Sequence, residues 1–295
     1  MIAVPAVVVV ALVLALGGGS DAPPAGSPAA PAAASAPRVD RFDSARAWGY
    51  LRHQVDLGPR PAGSPALRTL AGYLRARLPQ GRFEAVPGHP GLRNVVGRIP
   101  GRRPAVAVAA HYDTKDLPGF VGANDGAGGT AAVLGLAGAL RGMHRPPGAP
   151  EIRFLLFDGE EATDDSRPFL ETGVRGSRAY AARHGGELRA LVLLDFVAEK
   201  GAMRILYEQG SDRRLWGRLR AAAQRVGAGA AFPPGEIGQV EDDHTPFMQR
   251  GIPSVDLIDF TFPCWHKPCD NLSAVSERSL DLSGETVLEL LRTWR

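Results

Sequence analysis

The sequence predicts an α/β fold: a single domain with a mostly parallel central sheet and helices on both faces. Three observations predict it. Apolar runs of strand length recur near residues 94–99, 104–110, 152–157, 191–195 and 252–258, with helical segments between them. Runs such as AVAVAA and LVLL are apolar at successive positions, the pattern of strands covered on both faces. At 295 residues and 44% hydrophobic content, the chain can bury one large core and needs no second.

From the N-terminus, Ile2 to Leu16 is an almost unbroken apolar run, too short for a comfortable membrane span and of signal-peptide length, although no basic residues precede it. Residues 1–17 are therefore expected to be a signal peptide or an uncleaved anchor. Residues 18–37 have the Pro, Ala, Gly and Ser bias of a flexible linker, and 38–295 form the folded domain. Export to the periplasm or the medium is expected, with no membrane span in the mature chain unless the leader is retained. No cysteine follows the apolar run, which disfavours a lipoprotein anchor. Leu67, Leu70, Ala71, Leu74 and Leu78 repeat at helical spacing, as do Leu280, Val287, Leu288 and Leu291 within Ser279 to Trp294; both stripes are core. No internal repeat is found.

The chemistry collects where the apolar runs end. FLLFDGEEA, residues 154–162, delivers the adjacent acids Glu160 and Glu161 into a loop. Neighbouring carboxylates raise each other's pKa, so such a pair implies a divalent cation or a proton carrier, the plain alternative being a solvated acidic turn. Other segments repeat the form. PAVAVAAHYDTK ends in His111 and Asp113, LVLLDF in Asp195, and CWHKPCDN sets His266 after the strand-like IPSVDLIDF. In GANDGAGG, Asp125 lies in a Gly-rich turn that opens an apolar helix, where small neighbours allow close approach. Two imidazoles with several carboxylates form the N/O ligand set of catalytic zinc.

Other residues carry plainer readings. His53, His89, His144 and His184 lie in polar or helical contexts without converging acids and are expected at the surface. His244, in DDH, either orients Asp243, donates to a substrate or makes a structural hydrogen bond. Cys264 and Cys269 flank Trp265 and His266. They close a disulfide loop that stiffens His266 in an oxidising compartment, or remain free thiols in a reducing one. The formal charge of +3 and pI of 9.1 come from scattered arginine rather than a dense basic run, so nucleic-acid binding is unsupported.

On these motifs the chain, from about Phe42 to its C-terminus, resembles the zinc aminopeptidases of the bacterial leucyl aminopeptidase type. Their phosphorylase/hydrolase-like fold is shared with the animal-type glutaminyl-peptide cyclotransferases. The resemblance implies one or two zinc ions with ligands at His111, Asp125, Glu161, Asp195 and His266, Asp125 bridging in the two-metal form, and Glu160 as general acid/base. In the cyclotransferase form it implies one zinc on Asp125, Glu161 and His266. His111 and Asp195 then complete a second site or orient the first ligands.

HYDTK followed closely by GFVGANDGA, the long stretch between FDGEEA and GSRAY, and EDDHTPFMQRGIPSVDLID are similar to the cyclotransferases. There Asp243 matches an acid that works with Asp195 in proton movement, and Trp265 matches a pocket aromatic. The insertion lacks the Trp of the animal enzymes, and GANDGAGG is nearer the peptidase wording. The implied activity is conversion of N-terminal Gln to pyroglutamate with release of ammonia, on peptide or protein N-termini. The alternative is removal of N-terminal residues. A non-catalytic binding domain is a third reading, opposed by the presence of every metal position and Glu160.

Overall fold

Apolar runs at successive positions become strands because both their faces find cover. In the computed structural model, which describes residues 36–294 apart from Ala202, they form a six-stranded sheet. The leader and all but the end of the linker lie outside the described residues. The strands are β1 (Arg82–Ala85), β2 (Arg93–Ile99), β3 (Arg102–His111), β4 (Pro150–Phe157), β5 (Leu188–Leu194) and β8 (Ser254–Leu257), in the order β1-β2-β4-β3-β5-β8. A small separate pair joins β6 (Tyr207–Glu208) to β7 (Glu236–Ile237).

The four strands β4, β3, β5 and β8 run parallel, whereas β1 and β2 are antiparallel to their neighbours. The sheet is therefore mixed, a parallel centre with an antiparallel edge. The loop from β1 to β2 is too short for a parallel crossover, so those two form a hairpin.

Strand alternation feeds two cores. Val106, Val108, Ala110, Phe154 and Val192 pack with α1 (Ser44–Asp56), α2 (Pro65–Arg77), α3 (Ala127–Gly142), α6 (Arg213–Val226) and α8 (Glu277–Arg292). Ala107, Ala109, Leu155 and Phe157 face the other way, against Tyr180 and Ala181 of α5 (Arg175–His184) and Phe247 of α7 (Thr245–Met248). The remaining short helix, α4 (Phe169–Thr172), lies in the insertion after the paired acids.

Ser64, Asp212 and Ser276 cap α2, α6 and α8 by accepting a first-turn N–H. Helix α3 is small-residue-rich and almost wholly buried, and it lies close on the sheet: a Cβ at Gly129 would stand 2.0 Å from the Leu194 carbonyl oxygen. This close seat sets the turn before α3 over the carboxyl ends of the parallel strands, where ligands gather in α/β sheets. Among the described residues, no helix is long and apolar enough to cross a membrane.

Candidate active site

His111 closes β3, Asp195 follows β5, and Glu160 and Glu161 follow β4, so three parallel strands aim their ends at one point. Asp125, in the turn before α3, and His266, from the loop after β8, complete it. His111 Nε2 lies 3.3 Å from Asp125 Oδ1 and 3.5 Å from Asp195 Oδ1. His266 Nε2 lies 3.3 Å from Glu161 Oε2 and 3.7 Å from Asp125 Oδ2. Asp125 therefore turns one oxygen to each imidazole and belongs to two candidate metal-ligand groups, His111/Asp125/Asp195 and Asp125/Glu161/His266.

The spacing fits metal ligation better than direct hydrogen bonding. Neither ring nitrogen of His111 has a hydrogen-bond partner, nor do Asp125 Oδ2 and Glu161 Oε1, although all are buried. Donors bound tetrahedrally at about 2.0–2.1 Å stand roughly 3.3–3.4 Å apart, close to most of these separations. Buried acids without partners call for a cation.

Backbone clamps present these side chains. Asp270 accepts the N–H of Asn124 on Oδ1 at 2.8 Å and that of Asp125 on Oδ2 at 3.1 Å. Arg60, fully buried, donates to the carbonyls of Val121 at 2.6 Å and Gly122 at 3.1 Å, fixing the same turn. Gly126 has φ 86°, and a Cβ there would lie 2.7 Å from the Asp113 carbonyl oxygen and 3.2 Å from the His111 ring. Asp113 accepts the N–H groups of Glu160 at 3.2 Å and Glu161 at 3.3 Å, presenting the paired acids. His266 sits at φ 52° in a loop closed by the Cys264–Cys269 disulfide.

Electrostatics follow from burial. It pushes the Glu160 carboxyl well above the ordinary range, and carries Glu161 and Asp195 up to about 7. Burial alone would lower His111, but Asp113, Asp125 and Asp195 together raise it well above its usual value. A buried acid with raised proton affinity at a cavity edge suits proton transfer.

The cavity measures about 540 Å³, with Asp125, Glu160, Glu161, Asp195 and His266 in its wall. Among the described residues, Trp265 and Phe260 are the exposed large apolar ones, 45% and 42% accessible, with ring centroids 5.1 Å apart in the cavity wall. The insertion contributes Asp165, Arg167 and Phe169, so an aromatic ring stands in the wall although the insertion has no Trp.

Asp242 lines the cavity, whereas Asp243 is fully buried outside the lining and its carboxylate has no hydrogen-bond partner. His244 is 1% exposed, with Nε2 3.3 Å from Glu208 Oε2 and Nδ1 3.9 Å from Asp256 Oδ2, a structural setting closed to substrate. His144 is exposed as expected. His53, His89 and His184 are half-buried at the surface and join none of the candidate metal groups found among the described residues, His53 stacked on Tyr73 and His184 bonded to Glu84 and Glu187. Asp270, Arg60 and Asp242 escaped sequence reasoning; the one signal for Asp270 was its place four residues after His266 in CWHKPCDN.

The peptidase family M28 model matches residues 94–291, which run from β2 into α8 and include His111, Asp125, Glu160, Glu161, Asp195, His266 and Asp270, but not Arg60. The chain belongs to peptidase family M28. This M28 protein is 34% identical over 278 residues to a glutaminyl-peptide cyclotransferase-like protein of Mus musculus, covering 79% of this chain and 71% of the relative. Its fold is similar to that of a glutaminyl cyclase from Porphyromonas gingivalis, with TM-score 0.75, 26% identity, and 86% and 99% of the two chains covered. It is also similar to a Zn-dependent exopeptidase from Parabacteroides distasonis, with TM-score 0.74, 26% identity, and 86% and 99% covered.

Proposed function

We propose that this M28 protein is a zinc-dependent glutaminyl-peptide cyclotransferase, converting the N-terminal Gln of peptides to pyroglutamate with release of ammonia. The observation that carries the reading is the aromatic-walled cavity, lined by Trp265, Phe260 and the insertion residue Phe169 together with the paired acids. Similarity to named cyclotransferases over about four-fifths of the chain supports it.

Asp125, Glu161 and His266 would hold the zinc ion, whose chemistry there is Lewis-acid polarisation of the γ-carboxamide. The aromatic wall holds the N-terminal residue with its side chain folded towards its own α-amine. The amine nitrogen attacks the γ-carbonyl carbon, an N–C bond forms, and the bond to the departing nitrogen breaks. Glu160 takes a proton from the attacking amine and returns it to that nitrogen, which leaves as ammonia. Burial first, then the negative charges of Glu161, Asp242 and Asp243, keep the proton affinity of Glu160 high. Ring closure gains from proximity because both reacting groups belong to one residue. The Cys264–Cys269 bond supports an exported protein in an oxidising compartment.

A second reading is an aminopeptidase. It is favoured by His111, Asp125 and Asp195, which form a second ligand group of the same spacing and share Asp125 with the first. Mass spectra of a Gln-initiated and a Leu-initiated peptide after incubation with zinc-loaded protein test the two. Loss of ammonia from the Gln peptide alone supports cyclisation. Release of the first residue from either peptide refutes it in favour of the peptidase.

A further inference from the structure

Away from the catalytic cavity, α5 presents Arg175, Arg178, Ala179, Ala182 and Arg183 at i, i+3, i+4, i+7 and i+8, one helical face. With Arg250, two residues past α7, and Pro87 and His89 of the β1–β2 loop, this face lines a cleft of about 550 Å³. No carboxylate among the described residues lines it. Among the described residues, none of its four guanidinium groups forms an ion pair.

A neighbouring basic cleft shows how unusual that is. There Arg82 meets Glu84 at 2.6 Å, Arg153 meets Glu151 at 2.8 Å, and Arg103 and Arg98 approach Glu151 at 3.5 and 3.9 Å. Its arginines are neutralised within the protein, and those of the α5 cleft are not.

The α5 cleft is also partly pre-organised. Arg175 donates through Nε to the Gly159 carbonyl at 3.1 Å and through Nη2 to the Glu161 carbonyl at 2.9 Å, and Arg178 donates through Nη2 to the Gly173 carbonyl at 3.2 Å. Both side chains are half-buried, and these main-chain bonds fix their planes while leaving Nη1 of each without a protein acceptor. Arg250 makes one bond, to the Pro246 carbonyl at 3.0 Å, and Arg183 makes none among the described residues. His89 reports the same field: burial first, then Arg175 and Arg178, hold its imidazole below the ordinary value.

Like charges gathered in a concave wall repel one another and concentrate anions, and oriented guanidinium forks match oxyanions in particular. We propose that this cleft is a binding site for a multivalent oxyanion, bearing the sulfate- or phosphate-type groups that several guanidinium groups hold together.

The test is calorimetric titration of the metal-loaded full chain at constant ionic strength, with chloride as the balancing anion. Sulfate probes a free dianion, and benzene-1,3-disulfonate probes a ligand carrying two anionic groups. Neither sequesters zinc strongly, so the catalytic site stays loaded. Saturable binding of at least one probe is expected, weakened at least tenfold in Arg183→Glu/Arg250→Glu, since each lost charged contact is worth about a factor of ten. Both positions are exposed and outside the catalytic cavity, so turnover should be unchanged. The milder Arg183→Gln, expected to weaken binding several-fold, serves if the double variant misfolds. Absence of binding by the unaltered protein at millimolar probe would overturn the proposal, as would equal binding by the variants or equal competition by chloride.

Discussion

Replacing Asp270 with asparagine should loosen the metal site without removing a ligand. Its two oxygens accept separate N–H groups, Asn124 at 2.8 Å and Asp125 at 3.1 Å, in a fully buried setting. Asparagine has one acceptor oxygen, so its NH₂ must face one of those N–H groups. The substitution forfeits a hydrogen bond to a charged acceptor, about 1.5–3 kcal/mol, and strands a buried donor, about 1–3 kcal/mol more. The expected loss is about 3–5 kcal/mol, a large share of the roughly 5–15 kcal/mol that holds a domain together. Burial, then the neighbouring Asp125, lifts the Asp270 carboxyl to about 7 in the metal-free protein, so the comparison belongs at pH 8, where it is ionised. Urea unfolding with and without zinc gives the stability term, and chelator competition gives zinc affinity, expected to fall about 10–100-fold. A stability loss below about 1 kcal/mol with unchanged zinc affinity would refute the clamp, because both N–H groups would then have found other acceptors.

Four further outcomes are expected. Glu160→Gln should lower turnover by about 10²–10⁴ while zinc content stays unchanged, because Glu160 belongs to neither ligand group; near-normal turnover would remove it from the proton path. Glu161→Gln or His266→Ala should instead reduce zinc content, read by atomic absorption. Cys264→Ser/Cys269→Ser should weaken zinc binding through His266 while sparing the sheet, so circular dichroism should hold as chelator resistance falls. Metal-free protein should lose stability as pH rises from about 4 to about 7. Glu161 and Asp195 have folded-state values near 7, above their unfolded ones, so the folded form binds protons more tightly across that window. Zinc should reverse the slope, since the ligands must then be ionised; a metal-free melting temperature that climbs from pH 5 to pH 8 would contradict this.

The sequence made the parallel strands legible because burial on both faces writes itself as successive apolar residues, as in LVLL and FLLF. It could not reveal the direction of β2, since a buried strand reads alike in either orientation. Strand β1 was missed because RFEA is short and partly exposed, with no long apolar run to mark it. The convergence of His111, Asp125, Glu161, Asp195 and His266 was expected because most of these residues follow strands, and strand ends are fixed points of the fold. Asp270 and Arg60 were not legible, since they act on backbone groups that have no signature of their own. The place of Asp242 in the cavity wall was not legible for a related reason: adjacent loop residues face different ways, and no periodicity supplies the phase.

The same ligand geometry can serve hydrolysis or cyclisation, so the branch is decided by which carbonyl reaches it. A peptidase must bring the α-carbonyl of the first residue to the metal ligands. A cyclotransferase must admit the γ-carboxamide, which ends the side chain of that residue, and bend it back to the amine. A pocket that stabilises the bent conformer need not expel every water, because an aligned intramolecular nucleophile acts at an effective concentration of about 10⁵–10⁸ M. Pocket depth and the walls that enforce bending therefore carry the specificity. On the proposed cyclotransferase reading those walls would be Trp265, Phe260 and Phe169, which line the cavity and belong to neither candidate ligand group. Shortening the aromatic wall should thus raise KM for a Gln peptide and erode cyclisation before it disturbs zinc binding, whereas a peptidase acting at the α-carbonyl would depend on it less.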